Sequence, residues 1–265
     1  MTGLAPAAAG TGTGAAERAA GPLPGPVLFA RYAFGPNRLG YCGTEDHAAV
    51  FGHAAAGEVD PLRQLATTFD GAWPYLELIA TSNGIEDPLD PRVVEAYWIG
   101  NELTAQVGER LLHRSIDERF HPRLSPTAWR WLESTVPAGA RPVHAFHVLD
   151  VFPRVGLLRG EAVDNALKVI DACRIRAGSV LAVTEGTLVV GLPRLEMREG
   201  HLRPGPAQPE VVDRWQDGIG FVDDVRVGEI VSVHWGWACD RLTPRQQRNL
   251  ARWTAAQLQI ANLTI

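Results

Sequence analysis

The stretch Gly228-Glu229-Ile230-Val231-Ser232-Val233-His234-Trp235-Gly236-Trp237-Ala238 decides how this chain folds. Its side chains alternate. Val231, Val233 and Trp235 share one face of an extended segment, and Ile230, Ser232 and His234 share the other, the two-residue period of a strand. The expected strand runs from Glu229 to Trp235. If the two valines face a core, the same parity turns His234 outward.

Upstream, the β character begins near Cys173. Gly178 to Thr184 reads as a strand, Glu185-Gly186 as a turn and Thr187 to Leu192 as a second strand. Arg194 to Arg198 continues it and turns at Glu199-Gly200. Short strands at this spacing suggest a small barrel. Downstream, Thr243 as N-cap, Pro244 at the first helical position and Gln246 as partner in a capping box start a helix. Leu250, Trp253, Thr254, Leu258 and Ala261 form its expected buried stripe.

The earlier part of the chain reads as helices. Asp60-Pro61, Asp90-Pro91 and Ser125-Pro126 are start signals, each a capping side chain followed by proline. Leu62, Leu65, Ala66, Phe69, Trp73, Leu76 and Ile79 follow the first at mostly helical spacing; Val93, Val94, Tyr97, Trp98, Leu103 and Val107 follow the second. Val27 to Gly43 is aromatic-rich without a steady period and reads as an ordered but irregular opening segment. Pro137 to Pro142 reads as a linker or exposed loop, Val143 to Phe152 as extended, and Glu161 to Ala172 as a connecting helix. The expected class is α+β. Residues 1–25 form a disordered tail and residues 26–158 a mainly helical domain. Residues 159–265 hold the connecting helix, an OB-like barrel and the C-terminal helix.

Composition narrows function mainly by exclusion. A hydrophobic fraction of 46% supports a real core, and 25 basic against 30 acidic residues, interspersed, give no nucleic-acid signature. No apolar run reaches the roughly 20 residues of a membrane span, and the start lacks a signal-peptide pattern. Three widely spaced cysteines make no disulfide framework and fit a reducing cytoplasm. There is no phosphate loop, nucleophile elbow or Cys-x-x-Cys pair.

Two groups carry the candidate chemistry. Cys173, in Cys173-Arg174-Ile175-Arg176-Ala177-Gly178-Ser179-Val180, offers a soft thiolate ligand. Arg174 and Arg176 would favour that thiolate only if the backbone turned them toward it. Alternatively, Cys173 is a buried structural thiol. His234 can ligate a metal or take a proton near neutral pH, or be a structural histidine. Cys42, between glycines, could complete a metal site or simply pack; core packing suits Cys239. His144 and His147 fall on opposite faces of a strand, but on one face if the segment is helical. Asp150, Glu161, Asp223 and Asp224 read as loop and cap charges.

Together the two segments resemble the HypC/HupF family of NiFe-hydrogenase maturation chaperones. That family reads Cys-x-x-x-x-Gly-x-Val, then Gly-Asp/Glu-x-Val-x-Val-His-x-Gly-aromatic-Ala, then a charged helix. Gly178, Gly228 and Gly236 match its structural glycines. The whole chain also resembles an uncharacterised actinobacterial family found in hydrogenase gene neighbourhoods. The resemblance implies a HypC-like barrel with a C-terminal helix. It further implies iron, carried with cyanide and carbon monoxide ligands, as cargo. Cys173 and His234 would be the iron-handling residues. The implied partners are a HypD-like maturation protein and a hydrogenase large-subunit precursor. Unlike the family's cysteine, Cys173 is internal. The expected role is a non-enzymatic assembly factor. The alternatives are an interaction module that has lost metal handling and, last, an enzyme using Cys173 as nucleophile and His234 as base.

Overall fold

The computed structural model of the chain describes residues 23–154 and 163–264. The expected tail lies outside them up to residue 22, as does Glu161. The described residues form an α+β protein. Helices α1 (Gly25–Arg38), α2 (His47–Ala56), α3 (Val59–Ala66), α4 (Trp73–Ser82) and α5 (Pro91–Trp98) come first. They are followed by α6 (Glu102–Gln106), α7 (Glu109–Phe120), α8 (Pro126–Thr135) and α9 (His144–Phe146). Helix α10 (Val163–Cys173) leads into the strands, and α11 (Pro244–Ala261) follows them.

Helix α1 corrects the irregular opening segment. Its residues from Gly25 to Asn37 are buried on every side, so the amphipathic stripe that marks a surface helix is missing. Pro24 at the cap and Pro26 at the start favour helix initiation. The helix packs on α2, α3 and α5 on one side and on strands β6 and β7 on the other. At Gly35 a side-chain Cβ would lie 2.4 Å from the carbonyl oxygen of His234. Glycine there allows the helix to touch the strand backbone directly.

The expected extended stretch 143–152 is also helical. α9 continues as a π-helix over His147–Val151. It is apolar on most sides because it runs through the interior, with Val143, Phe146, Val148, Leu149 and Val151 all buried. Nor is Pro137 to Pro142 simply an exposed loop: Ala140 is fully buried and Gly139 supplies a positive φ of 104°. The helix starts at Asp90 and Ser125 are as expected. Asp90 accepts from the Arg92 amide, and Ser125 from the Ala128 amide. At the first site the helix begins one residue before Asp60, with Glu58 at the cap.

The strands are β1 (Arg176–Val183), β2 (Thr187–Arg198), β3 (His201–Asp213), β6 (Ile230–His234) and β7 (Trp237–Arg241), joined in the closed order β1-β2-β3-β7-β6. A short ribbon of β4 (Trp215–Gln216) and β5 (Ile219–Gly220) lies beside them. All the pairings are antiparallel except β3 with β7, which meet in parallel at Asp213 and Trp237. The segment from Pro193 onward is a hairpin arm of β2 and β3, turning as expected through Glu199 (φ 52°) and Gly200 (φ 75°). A non-glycine residue followed by glycine, both at positive φ, is the geometry of a tight two-residue hairpin. The β6–β7 turn repeats it at Trp235 (φ 52°) and Gly236 (φ 70°). Alternation in β2 is clean, with Leu188, Val190 and Leu192 fully buried.

Helix α11 has the expected capping box between Thr243 and Gln246. Its buried side includes Leu250, Trp253, Leu258 and Ala261, with Thr254 half-buried. It packs against α9 and its π-helical extension as well as against β1 and β3. The buried apolar residues of the helical and β regions form one contiguous cluster.

Candidate metal centre

Strand β6 shows why His234 is not exposed. Val231 and Val233 point into the β core and are fully buried. Ser232 and His234 point the other way, as parity requires, but helices cover that face, leaving 0% and 1% exposure. The outward His234 of the sequence reading is therefore outward only from the strands. The Ser232 hydroxyl donates to the Tyr32 hydroxyl at 3.0 Å. Nδ1 of His234 lies 2.7 Å from the Tyr32 carbonyl oxygen. A carbonyl only accepts, so Nδ1 carries the proton and Nε2 the lone pair. That Nε2 is buried and makes no hydrogen bond of normal distance and angle, although the Cys173 backbone is near enough to act on the ring.

Cys173 is the last residue of α10 and is half-buried. The amide of Trp235 donates to the Ala172 carbonyl at 2.9 Å, tying the β6–β7 turn to the end of α10. With the β1–β6 pairing, in which Arg176 faces Val233, this link brings together residues about sixty positions apart in sequence. Burial pushes the Cys173 thiol up to about 12, partly opposed by the side chain of Trp235. The arginines do not act on it. Arg174 is buried and bonded to Asp171 and the Pro193 carbonyl, while Arg176 pairs with Glu210 at 2.9 Å. The backbone does not turn them toward the sulfur, so the condition for thiolate stabilisation by arginine is not met.

His144 is the third member, supplied by α9. Its ligand atom, that of Cys173 and that of His234 all lie within 4.8 Å of one another. The two imidazoles meet edge to face, with centroids 5.0 Å apart. Trp98 packs on both, at 4.8 Å from His144 and 5.8 Å from His234. Nε2 of His144 lies 2.9 Å from the Cys173 carbonyl oxygen, and Nδ1 lies 3.3 Å from the Tyr97 hydroxyl. Burial holds His144 well below the ordinary histidine range, with His234 adding to the effect; burial likewise takes His234 down to about 4. Both rings are therefore neutral at physiological pH, the form in which imidazole ligates metals.

The other sequence candidates separate. Cys42 is exposed as a residue and lies outside the three-residue cluster. Its thiol is nevertheless pushed up to about 12, first by the protein packed around it and then by nearby Cys173. The loop around it is pinned by Asn37, whose Nδ2 donates to the carbonyls of Cys42 (2.8 Å) and Thr44 (2.6 Å). Tyr41 stacks on Trp235 at 4.0 Å, so the same loop touches the hairpin next to His234. Cys239 is fully buried and packs as expected. His147 points elsewhere, to the Tyr75 ring and hydroxyl. Asp150 is not a loop charge: it is fully buried and neither carboxylate oxygen is hydrogen-bonded. Of the glycines, Gly178 is needed for close packing, since a Cβ there would lie 2.3 Å from the Gly191 carbonyl oxygen. Gly228 and Gly236 sit at positive φ, 91° and 70°.

Sequence reading missed His144 as a partner of Cys173 because it weighed that histidine only as one of a pair with His147. The missing signal was the helical state of residues 144–151. Tyr32, which orients His234, was hidden in a helix that has no visible period.

The donor set has the chemistry of a zinc or ferrous site, one thiol and two imidazoles. A tetrahedral site would bring sulfur and nitrogen to about 3.5 Å, so atoms up to 4.8 Å apart must close by roughly 1 Å. Fold and site define an α+β protein with a buried Cys-His-His cluster where helices meet the β structure. The chain belongs to a family of unknown function, DUF6390, which matches residues 21–265. No curated protein and no solved structure matches it. Among the described residues, no helix is long and apolar enough to cross a membrane.

Proposed function

We propose that this protein is an assembly factor for a NiFe hydrogenase, handling an iron fragment at Cys173 and His234. The observation that carries the reading is the meeting of its two motif residues. They come from segments about sixty residues apart, and their ligand atoms lie within 4.8 Å of each other. The motif glycines support the same reading through the tight turn at Gly236 and the close strand crossing at Gly178. The β structure would then be a HypC-like barrel, with α11 as the family's C-terminal helix. A HypD-like protein and the hydrogenase large-subunit precursor would be its partners.

The internal position of Cys173 favours a second reading, in which the β region is a docking module and carries no metal. The two separate in the host. Cys173→Ser should leave the melting temperature nearly unchanged, because serine replaces sulfur at a half-buried site. It should abolish iron retention in protein isolated anaerobically and stop hydrogenase maturation. Cys42→Ser and Cys239→Ala should mature hydrogenase far better than Cys173→Ser. Equal maturation by all three variants would leave docking as the role.

A further inference from the structure

We propose that His144 is a direct metal ligand, so that His144, Cys173 and His234 form a three-donor site for a divalent ion of the zinc and ferrous class, with the fourth position open. This deepens the reading above by assigning a donor from the helical layer, outside both sequence motifs, and by naming the ion. It concerns binding by this chain alone.

Three observations converge on it. The first is the geometry: the three ligand atoms fall within 4.8 Å, the one such group among the described residues. The second is the unused Nε2 of His234. A buried polar atom without a partner costs roughly 1–3 kcal/mol, and this one is oriented by a backbone carbonyl acting on the opposite ring nitrogen. Metal-ligating histidines are held in the same manner, through the nitrogen that does not bind the ion. The third is a matching arrangement around the other two donors. The Tyr97 hydroxyl is 3.4 Å from the Gly71 carbonyl and 3.3 Å from Nδ1 of His144. As the structure stands, Nε2–H of His144 donates to the Cys173 carbonyl and Nδ1 faces the Tyr97 hydroxyl; on metal binding the proton moves to Nδ1, where Tyr97, donating to Gly71, can accept it. The indole Nε1 of Trp235 is buried, faces the Cys173 sulfur and has no closer hydrogen-bond partner. It is available to donate to a metal-bound thiolate.

The binding step balances simply. The divalent ion displaces the thiol proton of Cys173 to solvent, a sulfur–metal bond replaces the S–H bond, and two neutral imidazoles add no charge. His144 gives up its contact with the Cys173 carbonyl. The result is a site of charge +1, which suits an anionic fourth ligand. Cys173 is the half-buried member of the three and both histidines are buried, so the open position is placed on the Cys173 side. An open fourth position distinguishes sites that exchange ligands from closed structural ones.

The test uses full-length protein, stripped by chelator under anaerobic conditions and titrated with cobalt(II), with zinc(II) as competitor. Wild type should bind one equivalent and show a thiolate-to-cobalt charge-transfer band. Cys173→Ser should lose that band. His144→Gln and His234→Gln should each weaken binding by at least about 100-fold, since loss of even an outer-shell partner costs 10–100-fold. Cys42→Ser should retain both affinity and band. Wild-type affinity in His144→Gln, or failure of wild type to bind cobalt, overturns the proposal; so does loss of binding in Cys42→Ser. Should His144→Gln fail to fold, X-ray absorption of the zinc-loaded wild type decides. Two imidazoles and one sulfur support the assignment, and a single imidazole overturns it. Hydrogenase maturation is not among the readouts, so failure here is distinct from failure of the assembly role.

Discussion

Asp150 shows how one residue can set a pH dependence for the whole protein. Its side chain is fully buried, and among the described residues its cationic partner is Arg154 at 3.7 Å. Burial pushes its carboxyl from 3.8 up to about 7. The folded state then holds the proton more tightly than the unfolded state. Stability from this group is greatest below about 4, falls as pH rises toward 7 and levels off above that. Three pKa units correspond to at most about 4 kcal/mol. His147 acts in the opposite sense. Burial lowers it from 6.5 to about 3, so stability is lost as pH falls through that range. Denaturant unfolding of wild type and Asp150→Asn should therefore converge near pH 4. At pH 8 the variant should be the more stable by a few kcal/mol. A difference independent of pH would mean that Asp150 is ionised and paired throughout.

At the scale of elements, α11 links the two halves. It packs on the α9 segment that carries His144 and also on β1 and β3. Trp253 is its main anchor, 7% exposed and seated against Gly100, where a Cβ would lie 2.0 Å from the indole ring. Trp253→Ala should cost roughly 3–5 kcal/mol, as expected for removal of a buried aromatic side chain. Near-UV and far-UV circular dichroism should report the loss in one shared transition. An unchanged melting temperature would mean that the helix serves a partner and not this fold. Helix α1 plays the corresponding role on the other side, with Tyr32 touching both Ser232 and His234. Its Arg31 pairs with Asp240 of β7 at 3.0 Å.

For the molecule as a whole, the consequence is that the β structure borrows part of its core. Trp237 is fully buried, but Phe34 of α1 and Phe51 of α2 pack against it at 4.8 and 5.9 Å. A fragment beginning near residue 160 would expose Trp237 and His234 together. Burying a large apolar side chain is worth about 1.5–3 kcal/mol, and a fragment of this size has little stability to spare. We expect it to lack a cooperative melt, while the full chain melts as one unit. A β-rich spectrum with a sharp transition from the fragment alone would show that the two regions fold separately.

What the sequence determined by itself is local. Capping boxes, proline starts, hairpin glycines and the two-residue period of β6 are interactions among near neighbours, so they are written in adjacent letters. Cys173 and His234 were legible because they sit in such patterns. The tertiary structure decided the rest. A helix buried on every side has no polar face, so α1 and the 143–151 helix left no period to read. That the His234 side of β6 is shut off from water depends on a helix two hundred residues earlier in the chain. His144 joined the site only because that helical layer folds back over the strand. A donor set gathered from three separate elements is a property of packing, and no local spacing could record it.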